Sequence, residues 1–149
     1  MKKITFIGAG YVGLVSGTCI SDFGHMVSCV DISNEKIEWL KSGKLPIYEP
    51  GLEELVKKNV KAGRLKFSTN INKAITDSEV IFIAVGTPQN EDGSANLDAI
   101  KSVAEVIGAS LNSYKVICTK STVPIGTGSL IKEIINNNNE NNVIFDYVS

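Results

Sequence analysis

Six residues, Gly8-Ala9-Gly10-Tyr11-Val12-Gly13, constrain the fold more than any other stretch of the chain. An apolar run, Ile4-Thr5-Phe6-Ile7, leads into them, and a helix-compatible segment, Leu14 to Phe23, leads out. Strand, glycine turn and helix in that order predict the phosphate-binding opening of a Rossmann unit. Gly8 permits the tight turn out of the strand. Gly10 has no Cβ, so a pyrophosphate can approach the backbone, and Gly13 lets helix and strand pack closely. The free N–H groups and the positive dipole end of the helix then face the phosphates.

The second half of the signal is an acid. Val27-Ser28-Cys29-Val30 reads as the next strand, with Asp31 at its carboxyl end, 18 residues past Gly13. The acid that binds the adenosine ribose is expected about 20 residues on. A carboxylate there accepts hydrogen bonds from ribose hydroxyls and repels a 2′-phosphate, which favours NAD over NADP. The competing reading of Asp31 is a turn or cap before the helix that Ile32-Ser33-Asn34 begins.

The chain has 149 residues, enough for one domain with a core that needs no staples. A formal net charge of −1 gives no electrostatic reason to expect nucleic acid or an anionic membrane. No apolar run approaches the roughly 20 residues of a membrane span. Met1-Lys2-Lys3 enters a strand with no signal-like stretch, so the expected compartment is the cytoplasm. Cys19, Cys29 and Cys118 are odd in number and show no C-x-x-C spacing. They are read as free buried thiols, with no disulfide framework and no metal site. His25, the one histidine, reads as a turn residue.

Strand-like runs recur at Ile4–Gly8, Val27–Asp31, Leu65–Ser68, Val80–Val85, Val116–Thr119 and Val143–Val148. Helical patterns fall at Val12–Phe23, Asn34–Ser42, Gly51–Ala62, Asn70–Ala74, Leu97–Leu111 and Thr127–Asn136. Continuous β-branched runs such as Val80 to Val85 imply strands covered on both faces. The expected fold is α/β, a Rossmann-type doubly wound parallel six-stranded sheet, order 3-2-1-4-5-6, with helices on both faces. Ligands of such sheets bind at the carboxyl edge, where strand order reverses. That edge carries Gly8–Gly13, Asp31, Gly86-Thr87-Pro88 and Lys120-Ser121-Thr122-Val123-Pro124. The opposite-edge turns, Lys61–Arg64 and Thr76–Ser78, read as generic polar connectors. Leu45 to Leu52 adds a helix beyond the minimal crossover, and Asn136–Asn142 reads as a solvated helix end and loop.

Five blocks together resemble the UDP-glucose/GDP-mannose dehydrogenase family. They are Gly8 to Leu14, Val30-Asp31, Ile47-Tyr48-Glu49-Pro50-Gly51-Leu52, Val85-Gly86-Thr87-Pro88 and Lys120 to Thr127, in the family's order and spacing across nearly the whole chain. The Tyr-Glu-Pro-Gly-Leu and Lys-Ser-Thr-Val-Pro blocks look most like the members that act on UDP-glucose. The resemblance implies an NAD-dependent, two-step oxidation of UDP-glucose to UDP-glucuronate with two hydride transfers, through a cysteine thiohemiacetal and thioester. A thiolate suits such a step because it is a strong nucleophile. GDP-mannose or a UDP-N-acetylhexosamine as substrate, or a noncatalytic NAD-binding module, are the alternatives.

Carried over by position, the resemblance gives Gly8, Gly10, Val12 and Gly13 the pyrophosphate and Asp31 with Lys36 the adenosine ribose. Tyr11 shapes the glycine turn by packing, and Glu49 anchors the extra helix. Gly86, Thr87 and Pro88 contact the cofactor after the fourth strand. Ser121 and Thr122 do so after the fifth, with Thr122 near the nicotinamide and a catalytic water. None of the three cysteines matches the family's nucleophile. The expectation is therefore an N-terminal NAD-binding domain over 1–149. The catalytic cysteine, lysine and glutamate, a central dimerisation helix and a C-terminal UDP-sugar-binding domain would lie beyond Ser149, and the full-length protein would be a homodimer.

Overall fold

A computed structural model describes all residues, Met1 to Ser149. The order is β1 (Lys3–Ile7), α1 (Tyr11–Asp22), β2 (Met26–Val30), α2 (Asn34–Lys41), α3 (Leu52–Lys61), β3 (Leu65–Ser68), α4 (Ile71–Asp77), β4 (Val80–Ile83), α5 (Asp98–Ser110), β5 (Lys115–Thr119), α6 (Thr127–Asn138) and β6 (Phe145–Val148). All six strands are parallel, in the order β3-β2-β1-β4-β5-β6. The expected topology is the one observed. Register aligns Ile7 with Val30 and Ile83, Val30 with Ser68, and Ile83 with Thr119. Five strands therefore end level, and the residues after them emerge along one edge.

Two cores flank the sheet. Phe6, Cys29, Leu65 and Phe67 meet Leu14, Ile37, Leu52 and Val56 on one side. Ile7, Ile81, Ile83 and Ile117 meet Ala74, Ile100, Ile107, Ile131 and Ile135 on the other. Central β1 buries Ile4 to Ile7 without a break, as a strand covered on both faces must. Edge strand β3 alternates instead, burying Leu65 and Phe67 and exposing Lys66. The stretch read as a strand from Val80 to Val85 keeps strand geometry only to Ile83.

The opposite-edge turns are not generic. Arg64 donates to Asn59 Oδ1 at 2.8 and 3.0 Å and to the Ser21 carbonyl at 3.1 Å. Asn59, fully buried, passes the link to Asp22 Oδ1. This network ties α1, α3 and the start of β3. At the other turn the Lys115 side chain, 0% exposed, donates from Nζ to the Ser78 carbonyl at 2.6 Å. It supplies a cation to the carbonyls at the C-terminal end of α4, where the helix dipole favours one. The asparagine run also differs from the solvated loop expected. Asn139 is buried, and its amide both accepts from Val143 N–H and donates to Val143 C=O. Those bonds hold Val143 in the loop, and β6 starts at Phe145, opposite the first residue of β5.

Of the cysteines, Cys29 alone is buried, and burial pushes its thiol up to about 12; Cys19 and Cys118 are partly exposed. No helix is long and apolar enough to cross a membrane.

Candidate dinucleotide site

The glycine turn connects β1 to α1. Gly8 has φ +105°, a left-handed conformation that glycine alone adopts readily, and its N–H extends the ladder to the Val30 carbonyl. Gly10 precedes the first helical residue and caps α1 without a side chain. The N–H groups of Tyr11, Val12 and Gly13 consequently have no acceptor in the chain. Nothing lies within 4 Å of where a Gly10 Cβ would stand. The turn thus offers a row of unpaired donors beside open space, which suits a diphosphate.

Asp31, at the end of β2, is built into this turn. Its Oδ2 accepts from Ala9 N–H at 3.0 Å and from Lys36 Nζ at 2.7 Å, and its Oδ1 accepts from Ser33 N–H at 3.0 Å. Its side chain is 9% exposed. Burial pushes the carboxyl up, but the Lys36 ammonium and the Ser33 and Ala9 N–H groups outweigh burial together. The group is held below the usual carboxylate range. Asp31 is therefore ionised and preoriented, with lone-pair capacity left on Oδ1. The cap of α2 is Ser33, which accepts from Lys36 N–H, so the turn reading of Asp31 holds alongside its tie to Ala9.

A cleft of about 420 Å³ runs along this edge. Gly8, Gly10, Asp31, Lys36 and Gly86 of the expected residues line it. Ile32, 96% exposed, lines it too, as do Thr69 and Ile71 after β3 and Ser102 and Val103 on α5. None of these five was singled out from the sequence. Thr69 was legible, because β3 neighbours β2 in a 3-2-1-4 sheet and its carboxyl end joins the same edge. The α5 residues were not, since only packing brings that helix over the cleft. A depression of about 450 Å³, lined by Lys3, Ser28, Lys66 and Asp77, lies elsewhere on the sheet and has no glycine turn.

Thr87, Pro88, Ser121 and Thr122 stand beyond the cleft wall, in the loops after β4 and β5. The Thr87 hydroxyl donates to the Thr122 carbonyl at 2.8 Å, and the Ser121 hydroxyl donates to the Val85 carbonyl at 2.7 Å. These two hydroxyls lace the loops to each other. The exposed Thr122 hydroxyl makes no bond within the chain, and α6 is capped by Gly126. Tyr11 does not pack into the turn as expected. It is 53% exposed and donates its hydroxyl to Glu49. Gly13 avoids the turn itself: a Cβ there would stand 1.8 Å from the Gly8 carbonyl oxygen. The close approach of α1 to the strands falls at Gly17, where a Cβ would meet Cys29 Sγ at 2.6 Å.

The model of the UDP-glucose/GDP-mannose dehydrogenase family, NAD binding domain, matches residues 2–149. UDP-glucose 6-dehydrogenase TuaD of Bacillus subtilis is 53% identical over all 149 residues, which span 32% of that protein. A UDP-glucose dehydrogenase structure from Pyrobaculum islandicum superposes with TM-score 0.94 at 34% identity, over 99% of this chain and 35% of that one. A ternary complex of GDP-mannose dehydrogenase from Pseudomonas aeruginosa gives TM-score 0.92 at 37% identity, over 97% and 35%. The chain spans about a third of the length of these relatives. Fold, glycine turn and sequence agree: the chain belongs to the UDP-glucose/GDP-mannose dehydrogenase family and comprises its NAD-binding domain.

Proposed function

We propose that residues 1–149 form the N-terminal cofactor domain of a UDP-glucose 6-dehydrogenase, which oxidises UDP-glucose to UDP-glucuronate as a cytoplasmic homodimer. The observation that carries the choice of substrate is the 53% identity to TuaD across the whole chain. NAD supplies the hydride acceptor. In this reading the N–H groups at Tyr11, Val12 and Gly13 take the diphosphate across the open side of Gly10. Asp31 Oδ1 and Lys36 take the adenosine ribose, with Ile32 against the adenine. Gly86, Thr87, Pro88 and Ser121 shape the path toward the nicotinamide, and Thr122 presents its free hydroxyl there. The cysteine of the second oxidation lies outside this chain.

GDP-mannose is the second reading, favoured by the 37% identity to the Pseudomonas aeruginosa enzyme against 34% for the archaeal UDP-glucose enzyme. The sugar-binding half decides between them. NADH formation by the full-length protein is expected with UDP-glucose, at two NADH per sugar, and not with GDP-mannose. Turnover confined to GDP-mannose refutes the assignment, and binding of NAD without turnover of any nucleotide sugar turns it into a noncatalytic module.

A further inference from the structure

The segment from Leu45 to Pro50, between α2 and α3, is neither helix nor strand and bends at Pro46 and Ile47, yet its burial alternates. Leu45, Ile47 and Glu49 are half-buried, whereas Pro46, Tyr48 and Pro50 are exposed. Leu45 and Ile47 pack against the core that includes Leu14 and Leu52. Glu49 continues their row, and its partly exposed carboxylate takes one side-chain donor. That donor is the hydroxyl of Tyr11, the first residue of α1. No other side chain bonds to either group. The hydrogen bond to Glu49 and its charge push the Tyr11 phenol above its ordinary range, so it stays a neutral donor.

The partner is informative because Tyr11 belongs to the phosphate-binding turn. Asp31 fixes that turn at Ala9. One residue on, the side of Gly10 is bare and nothing packs on it. The Tyr11 hydroxyl is the next tether along the chain, and it reaches an element that a minimal βαβ crossover does not contain. We propose that Glu49 is a positioning residue for the phosphate seat. Through Tyr11, the Leu45–Gly51 segment straps the start of α1 and holds the N–H groups of Tyr11, Val12 and Gly13 in the array that receives the diphosphate. This rests on the cofactor reading given above.

The test is a cycle of Tyr11→Phe, Glu49→Ala and their combination, with Glu49→Gln as the conservative variant that keeps an acceptor oxygen. NAD and ADP-ribose are titrated calorimetrically into the 149-residue chain, adenosine by NMR shifts, and thermal midpoints are recorded. Losing one hydrogen bond predicts about three- to tenfold weaker NAD and ADP-ribose binding in each single variant. The double variant should be no weaker than either single one, Glu49→Gln should be near wild type, and adenosine affinity should be unchanged. A lowered thermal midpoint with unaltered NAD affinity reduces the contact to a structural anchor and overturns the proposal. So does additive weakening, equal weakening for adenosine, or tighter binding on removal of the carboxylate. Failure of the wild-type chain to bind NAD overturns the cofactor reading and the strap together, whereas normal wild-type binding with unaffected variants overturns the strap alone.

Discussion

A Cβ at Gly8 would stand 2.5 Å from the Ala84 carbonyl oxygen, and one at Gly13 would stand 1.8 Å from that of Gly8. One at Gly10 would meet nothing within 4 Å. The three glycines of the motif therefore answer different demands. The first and third are required by the chain's own backbone, so their replacement disturbs the turn itself. Gly10, with φ −78° and ψ −167°, has a conformation open to any L-residue. Its side chain is excluded by nothing present in the chain, as expected if a ligand comes close to the backbone there. Gly10→Val should accordingly fold, with a stability loss of at most about 1 kcal/mol from the weaker helix cap. It should bind NAD at least tenfold more weakly, because branched carbon occupies the space beside the free N–H groups. Thermal unfolding and calorimetry on one sample separate the two effects. A folded valine variant with wild-type affinity would place the diphosphate somewhere other than over Gly10.

Helix α1 brings the turn to the sheet, and the residue that lets it come close is Gly17. A Cβ there would meet Cys29 Sγ at 2.6 Å, Phe6 Cδ2 at 3.2 Å and Val27 Cγ1 at 3.4 Å, all on buried strand residues. Alanine would add helix propensity of up to about 1 kcal/mol. Overpacking a tight core costs about 1–3 kcal/mol. Gly17→Ala is therefore expected to be net destabilising by urea titration, and pairing it with Cys29→Ala should recover part of the loss by clearing the sulfur. Equal losses in the single and double variants would show that the sulfur is not the obstacle. The sequence did not disclose Gly17, because its reason for being glycine lies on the two flanking strands and shows only once α1 packs across them. The same holds for Lys115 under α4 and for the Asn59–Arg64 link, which read as ordinary polar residues until packing placed them. What was legible was periodic or local: the strand runs, the glycine turn, Asp31 at a strand end, and the loops at one edge. Asn139 lies between these cases, since its side-chain bonds to Val143 are local yet nothing in an asparagine run singles it out.

For the molecule as a whole, a level carboxyl edge places every expected site residue on one side of the sheet. They do not share one environment there. Asp31 and Lys36 are locked into a finished ion pair in the cleft, and the Thr87 and Ser121 hydroxyls are consumed in lacing the β4 and β5 loops. Thr122 differs from all of these. Its carbonyl is held by Thr87 while its hydroxyl remains uncommitted and exposed, fixed in place by its backbone alone. A group held this way suits contact with something outside the 149 residues, such as a substrate or a water delivered by the other two-thirds of the relatives' length. Thr122→Ala leaves the Thr87 tether intact, because the tether ends on the backbone. In the full-length protein it should lower kcat at least tenfold, within the range of lost proton-handling groups, and leave NAD affinity within about threefold. Single-turnover NADH formation and NAD titration give the two numbers. If affinity falls while kcat holds, Thr122 is a cofactor ligand, and the hydroxyl that handles the reacting atoms belongs to another residue.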